Sequence, residues 1–365
     1  MSIAPPGSDG FRFVRSAFII PPSVGDSAFH RRRQVPMVID VHTHIVPEQF
    51  PAFGGRVAGD AWPHMDHIAP GQANVMISGH NFRTVTDQCW SIPRRLGDML
   101  DEGVDQQVLS PMPELLAYRL SPTDCLELGQ HLNETIAKMV SESPDRFFGL
   151  GAVPLQDPAL AAKELTAVKS MGLRGVEVLS NVNGENLGDA KFRGFFKEAE
   201  RLDMAVFVHS QHPTFESRFV GPAMLENVIG FPIESGLAAA GVITGGLLQD
   251  CPDLRICFSH GGGVFGQLLP RMEHVWNERP PMRELLPEAP SVYAKKLFYD
   301  DVFFETRTLR YLLDMVGVSQ VMVGSDYPFF TRYMLPAKEF EELGLSAAEA
   351  EAIASGNCLR FLGVS

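Results

Sequence analysis

Two histidines near residue 40 have the spacing of a metal-binding pair. They lie in the segment Asp40-Val-His42-Thr-His44, and residues two apart on an extended strand point to the same side. His42 and His44 therefore present both imidazoles together, in an arrangement that a divalent metal such as zinc accepts. Taken alone, the pair is also compatible with two hydrogen-bonded core or surface histidines.

Three further ionisable residues end apolar runs elsewhere in the chain. His209 ends MAVFVH, His260 ends LRICFSH and Asp326 ends VMVGSD. If these runs are strands of one barrel, their ends meet at the rim where barrel enzymes carry catalytic groups. Buried imidazoles and carboxylates need partners, and a metal ion would satisfy them together. We predict that one divalent cation is bound by His42, His44, His209 and Asp326. A position for water would be left beside His260.

A parallel sheet must position these side chains. From Met37 onward, short apolar runs alternate with longer amphipathic stretches, which is the pattern of βα units. Near-continuous apolar runs are typical of strands buried on both faces. Eight units predict an α/β fold of the (β/α)8 TIM-type barrel class. The eight runs cover residues 37–42, 106–111, 147–154, 174–179, 204–209, 254–260, 297–302 and 321–326.

The segment that follows the first run is too long for an ordinary connection. Residues 46–98 are rich in Gly, Pro and His, and a loop of this length in a compact domain usually carries function. We expect a small insertion subdomain over the barrel mouth, within a barrel domain at 37–365.

Residues 1–36 precede the patterned part of the chain. Their basic triplet, Arg31-Arg32-Arg33, follows the short apolar run SAFII instead of preceding a longer one, so the order is wrong for a secretory signal. We expect an N-terminal arm that is either disordered or packed on the surface or on a partner chain.

Composition limits the partners. Among 365 residues, 31 Lys and Arg face 44 Asp and Glu, for a net charge of -13, which disfavours nucleic acid and anionic membrane surfaces. The sequence contains no run of about 18 apolar residues, the length that would predict a membrane span. The five cysteines form no CxxC pair, so we expect a reducing, cytoplasmic location and no disulfide framework.

Several motifs together resemble the amidohydrolase superfamily, and more narrowly its branch related to aminocarboxymuconate-semialdehyde decarboxylase and the decarboxylases of hydroxylated aromatic acids. The similarity runs from about Met37 to Leu362. It rests on the segments MVIDVHTHIVPEQF, VHS, CFSHGGGVFGQLLPRMEHVW and VMVGSDYPF.

The resemblance implies roles for single residues. The family's paired histidines correspond to His42 and His44, and its other metal ligands to His209 and Asp326. Its catalytic histidine falls on His260, and Asp326 is also assigned to catalysis. A carboxylate-binding arginine in an Asn-Phe-Arg motif matches Arg83, and a second one, contributed across a dimer interface, would be Arg271. The resemblance thus implies a homodimer.

The implied reaction is nonoxidative decarboxylation of a small aromatic or conjugated carboxylic acid. One divalent metal would serve it, Zn2+ or alternatively Mn2+, with no organic cofactor. Because no Lys ends the run at 174–179, we expect one metal and not two. Arg83 suits the grip of a carboxylate, since its planar fork makes two parallel hydrogen bonds. Apolar walls at Phe329 and Trp90 would exclude water, although aromatic residues are commonly plain core.

A hydrolase or hydratase acting on a lactone, amide or enol remains open, because metal ligands of these types serve it equally. The family's His-Pro-Trp-Asp segment after the fifth strand is replaced by the sequence His209-Ser210-Gln211-His212-Pro213. The changed wall leaves the identity of the acid undecided.

Overall fold

The computed structural model describes residues 36–52, 62–329 and 342–364. The chain from Pro36 onward forms one compact unit. Residues 1–35 of the predicted arm lie outside the described residues, so the arm stays a prediction.

Eight parallel strands form the central sheet, and each of the eight predicted runs overlaps one of them, the first strand extending three residues beyond its run. The sheet order is β1-β5-β6-β7-β10-β11-β12-β13. In chain order, the strands of the described residues are β1 (Ile39–Ile45), β2 (His64–Ala69), β3 (Gln72–Ile77), β4 (His80–Thr86), β5 (Gln106–Pro111), β6 (Phe147–Gly151), β7 (Gly175–Leu179), β8 (Asn181–Val182), β9 (Glu185–Asn186), β10 (Ala205–His209), β11 (Ile256–Phe258), β12 (Phe298–Asp300) and β13 (Val321–Met322).

Backbone hydrogen bonds join the first strand to the last and close the sheet into a barrel. The Val41 amide donates to the Val323 carbonyl at 2.8 Å, and the His44 amide donates to the Tyr327 carbonyl at 2.7 Å. The Asp40 carboxylate reinforces this seam, since it accepts from the Ser325 amide at 3.1 Å and from the Ser325 hydroxyl at 2.5 Å. The predicted TIM-type barrel is therefore confirmed.

Helices cover the outside of the barrel, and their apolar faces pack on strands that are buried throughout. Serine or aspartate side chains cap several of them, as Ser91, Ser121 and Asp157 do by accepting from backbone amides. Within the described residues, the α-helices are α1 (Ile92–Glu102), α2 (Pro122–Glu142), α3 (Pro158–Ser170), α4 (Arg193–Arg201), α5 (Phe231–Thr244), α6 (Leu247–Asp250), α7 (Phe265–Glu278), α8 (Pro280–Leu285), α9 (Pro290–Ala294), α10 (Thr306–Val316), α11 (Ala347–Glu351) and α12 (Asn357–Leu362).

Some strands are shorter than their apolar runs. The predicted run 254–260 contains only Ile256–Phe258 as strand, because the chain turns sharply at His260 and the glycines that follow. His260 has φ 55° and Gly261 has φ 59°, and a left-handed backbone cannot continue a strand.

Between β1 and α1, three antiparallel strands form a separate sheet in the order β2-β3-β4. This sheet places Arg83 on β4, opposite Val75 and next to a register shift between Val75 and Met76. Whether residues 46–98 form a distinct subdomain stays a prediction.

One helical stretch within the described ranges, Glu226–Thr244, is long and apolar enough by length and composition to cross a membrane, and half of it is buried inside the protein. Its buried residues, among them Ala238, Ala239 and Val242, belong to the barrel core. Core packing therefore accounts for its hydropathy.

Candidate metal centre and active site

Four side chains converge at the carboxyl ends of the barrel strands. His42 and His44 lie on β1, His209 ends β10 and Asp326 follows β13. The Nε2 atoms of His42 and His44 are 3.0 Å apart, and Asp326 Oδ1 lies 3.5 Å from the first and 3.2 Å from the second. One ligand atom from each of the four residues lies within 4.8 Å of all the others. The tertiary structure thus brings together the predicted ligand set.

The third histidine of this group differs from the other two in the surroundings of its Nε2 atom. His209 Nε2 is buried and makes no hydrogen bond within the described part of the chain, although the residue is only 3% exposed. A buried nitrogen left unpaired destabilises the folded state. Three imidazole nitrogens and one carboxylate oxygen are ligands that divalent transition metals prefer, so the residues present fit such an ion.

Each ligand histidine is oriented through its other ring nitrogen. His42 Nδ1 donates to Asp300 Oδ2 at 2.7 Å, His44 Nδ1 to the Pro111 carbonyl at 2.9 Å, and His209 Nδ1 to the Ser210 carbonyl at 2.8 Å. A histidine whose Nδ1 carries a proton keeps its Nε2 lone pair for a metal. The sequence gives no signal for the two carbonyl acceptors.

The electrostatics of the group are those of a site built around a positive charge. Burial lowers the pKa of His42, but the Asp300 hydrogen bond and the nearby carboxylates raise it to about 9. Burial and the neighbouring His42 hold the pKa of His209 well below its usual range. Burial would raise the pKa of Asp326, yet the hydrogen bond from His44 and the charge of His42 keep it far below the ordinary value.

His260 lies beside the four ligand residues, as predicted. Its ring centre is 5.3 Å from that of His42 and 5.1 Å from that of His209, and its Nδ1 is 3.0 Å from the Ser259 hydroxyl. Burial, followed by the charge of His42, lowers its pKa to about 4. This imidazole is therefore close to any molecule held at the ligand set.

A cavity of about 450 Å³ opens beside His260 and Asp326. Its other walls are largely apolar and include Phe231, Val302 and Phe303. A pocket with an apolar wall and a few convergent polar groups is the usual form of a small-molecule site. Its size suits a single ring or a short conjugated chain.

Phe329 connects Arg83 to the ligand set. The Phe329 ring stacks on His44 with the centres 5.4 Å apart and the planes 20° apart. The guanidinium carbon of Arg83 lies 4.2 Å from the centre of the Phe329 ring, and its Nη2 is 3.3 Å from Glu114 Oε1. Phe329 thus contacts both the guanidinium of Arg83 and the ring of His44.

A second cavity of about 800 Å³ is lined by Phe82, Glu114, Arg119 and His212, among others. Arg119 donates to His212 Nδ1 at 3.1 Å. Burial and the charge of Arg119 lower the pKa of His212 to about 4. His212, in the segment that differs from the family pattern, is therefore neutral, and the positive charge beside it is that of Arg119.

The structure does not bring Trp90 or Arg271 to the ligand set. Trp90 lines a different cleft with Glu48 and Asp87, and its ring contacts His67. Arg271 is exposed on α7 beside a shallow groove that includes Met272. A role for Arg271 in catalysis would therefore have to be played in another copy of the chain.

Two buried charged residues near the site carry no sequence signal. Arg95 on α1 is fully buried, and its Nη2 donates to the His44 carbonyl at 2.6 Å while its guanidinium stacks on the Tyr327 ring. Glu177 on β7 is also fully buried, with Oε2 3.7 Å from His44 Nδ1, and burial raises its pKa to about 7. Asp300, at the end of β12, lies with Oδ2 2.7 Å from His42 Nδ1.

Comparison with known proteins identifies the family of the chain. The amidohydrolase family model matches residues 39–364. The 2-amino-3-carboxymuconate-6-semialdehyde decarboxylase of Dictyostelium discoideum is 36% identical over 329 residues, which cover 89% of this chain and 91% of the relative. The gamma-resorcylate decarboxylase of Rhodococcus jostii is 28% identical, covering 64% of this chain and 76% of its own length.

Solved structures share the fold. The 5-carboxyvanillate decarboxylase of Sphingomonas paucimobilis is 25% identical, with a TM-score of 0.70, and the match covers 76% of this chain and 85% of that one. A dihydroxybenzoic acid decarboxylase from Polaromonas, 20% identical, also has a TM-score of 0.70, over 90% of this chain and 97% of that one.

Proposed function

Because the chain belongs to the amidohydrolase family, we propose that it is a metal-dependent, nonoxidative decarboxylase of a small aromatic or conjugated carboxylic acid. The observation that carries the proposal is the convergence of the four ligand atoms within 4.8 Å, with the His260 ring beside His42 and His209. A decarboxylase 36% identical over most of the chain supports the same reaction class.

The metal ligands in this proposal are His42, His44, His209 and Asp326. When bound, the ion would act as a Lewis acid that polarises an oxygen of the substrate. We propose Zn2+, because imidazole nitrogens and a carboxylate oxygen are ligands that zinc prefers. Mn2+ is the alternative, since the same ligand types bind it and metal availability contributes to selection.

The protein groups then carry out the remaining steps. Arg83 holds the substrate carboxylate by two hydrogen bonds, and the Phe329 ring packs against its guanidinium. His260 passes a proton to the carbon that bears the carboxylate. The bond to the carboxylate then breaks, its electron pair restores the conjugated system, and CO2 leaves. The reaction consumes one proton and needs no oxidant.

The apolar cavity beside His260 contributes by excluding water. Phe231, Val302 and Phe303 face the space in which the protonated intermediate would lie. A low-dielectric wall strengthens the electrostatic contacts of the substrate and protects the intermediate from side reactions.

A direct test measures CO2. Metal-free protein is prepared with a chelator and reloaded with Zn2+ or Mn2+. It is then supplied with a panel of carboxyl-labelled hydroxybenzoates and amino-substituted conjugated carboxylic acids. We expect labelled CO2 only from the metal-loaded protein. Fully loaded protein that releases no CO2 but hydrolyses a lactone or an amide would replace the proposal with the hydrolase alternative.

A further inference from the structure

We propose that Asp300 is a positioning residue that fixes two parts of the site at once, the metal ligand His42 and the proton-transferring His260. The His260 half of this inference rests on the proposed function, whereas the His42 half concerns metal binding alone. Asp300 ends β12, and both its side chain and that of His42 are completely buried.

One carboxylate oxygen of Asp300 determines the state of His42. Oδ2 lies 2.7 Å from His42 Nδ1, and an ionised carboxylate only accepts hydrogen bonds. The imidazole must therefore keep its proton on Nδ1, which leaves Nε2 available to a metal. The same nitrogen, Nε2, lies 3.0 Å from His44 Nε2 in the ligand set.

The other carboxylate oxygen holds the backbone next to His260. Oδ1 accepts from the Gly261 amide at 2.8 Å and from the Val302 amide at 3.3 Å. His260 has φ 55° and Gly261 has φ 59°, a left-handed region that is unfavourable for a residue with a side chain. The hydrogen bond to Asp300 stabilises this turn and so sets where the His260 ring lies.

Packing leaves the turn little freedom. A Cβ atom placed on Gly261 would lie 1.8 Å from the Phe303 ring, so only glycine fits there. Because a single rigid carboxylate connects both elements, a change at Asp300 displaces the ligand and the acid-base group together. Loss of a hydrogen-bond partner of a metal-binding histidine commonly lowers metal affinity or activity 10- to 100-fold.

The substitution Asp300→Asn keeps the shape of the side chain but removes its negative charge and one of its two hydrogen-bond acceptors. In Asp300→Asn the oxygen can still accept from the Gly261 amide, but the amide nitrogen then faces His42 Nδ1 and can only donate. His42 would be driven to the tautomer with its proton on Nε2, which cannot bind a metal.

The test titrates metal-free Asp300→Asn protein with Zn2+, without substrate, and measures Kd by calorimetry or by competition with a chromophoric chelator. We expect Kd to rise about 10- to 100-fold. Glu234→Gln is the matched control, because Glu234 is an equally buried carboxylate whose hydrogen-bond partners are Thr214 and Asn181. Its Kd should stay within about threefold of the wild type.

Activity measured at saturating Zn2+ tests the second contact. There we expect kcat to be at least about tenfold lower in Asp300→Ala, which loses the Gly261 contact, than in Asp300→Asn, with similar KM values. Equal kcat values in the two variants would overturn the His260 half. An unchanged Kd in Asp300→Asn would overturn the His42 half, whichever acid the enzyme accepts.

A measurement on the wild type needs no variant to fold. In Zn2+-loaded protein with 15N-labelled histidine, NMR should show His42 protonated at Nδ1 and metal-bound at Nε2. A His42 that lacks the Nδ1 proton would contradict the proposal. Wild-type protein that binds no metal would instead remove the proposed function.

Discussion

The guanidinium of Arg83 lies against the face of the Phe329 ring, with its central carbon 4.2 Å from the ring centre. The same ring stacks on His44. Phe329 therefore couples the position of the Arg83 guanidinium to that of the His44 ring. A planar guanidinium stacks on an aromatic face as a lysine ammonium does not.

Replacing Arg83 tests this arrangement. We expect Arg83→Lys to lower kcat/KM for the acid substrate about 10- to 100-fold, because the bidentate contact and the stacking are both lost. Arg94→Lys is a suitable control, since Arg94 is half exposed and pairs with Asp98. Steady-state kinetics measure the effect, and an Arg83→Lys enzyme with wild-type kcat/KM would show that another group binds the carboxylate.

Glu114 is paired with Arg83 and would compete with a substrate carboxylate for it under the proposed function. Its Oε1 is 3.3 Å from Arg83 Nη2, and its side chain is only 6% exposed. We expect Glu114→Gln to lower KM for the acid a few-fold, because the neutral amide repels a carboxylate less and leaves more of the guanidinium available. A KM that rises would mean that Glu114 holds Arg83 in its productive position. Glu127→Gln on α2 provides the comparison.

Removing the His260 side chain should separate chemistry from metal binding. We expect His260→Ala to bind Zn2+ with a Kd within about threefold of the wild type and to lose at least 100-fold in kcat, the usual contribution of a general acid-base group. Metal titration and single-turnover CO2 release check the two parts. Retained turnover would show that a different group transfers the proton.

Arg271 should act in the site of a partner subunit if the predicted homodimer forms. We expect Arg271→Ala and His260→Ala to be inactive separately and to regain roughly a quarter of wild-type activity when refolded together, because half of the mixed dimer's sites are intact. Analytical ultracentrifugation establishes the dimer. Failure of the mixture to recover activity, with dimers present, would exclude a shared site.

The cysteines should be chemically silent in the folded protein. All five are free and buried, and burial raises the pKa of Cys89 to about 12 and those of Cys125 and Cys251 to about 11. Because the thiolate is the reactive form, we expect no rapid labelling by a thiol reagent at pH 8 and five labelled thiols after unfolding. Mass spectrometry counts them, and fast native labelling would contradict the burial.

The barrel can be predicted from the amino-acid sequence because the signal for each strand lies within a few consecutive residues. Strands buried on both faces read as apolar runs, and in each of three runs the final residue is the one the site uses: His209, His260 and Asp326. The spacing of His42 and His44 fixes their common direction, because side chains alternate along a strand.

Other features depend on contacts between distant segments. Asp300 and His42 are separated by 258 residues, and they meet only because the barrel closes with a particular register between its strands. The stack of Phe329 on His44, the carbonyls that orient His44 and His209, and the burial of Arg95 beneath His44 have the same origin. The sequence by itself determined which residue types end the strands. Only the tertiary structure decided which of them touch, because hydrogen bonds and ring contacts need ångström-level placement that strand pairing and helix packing supply.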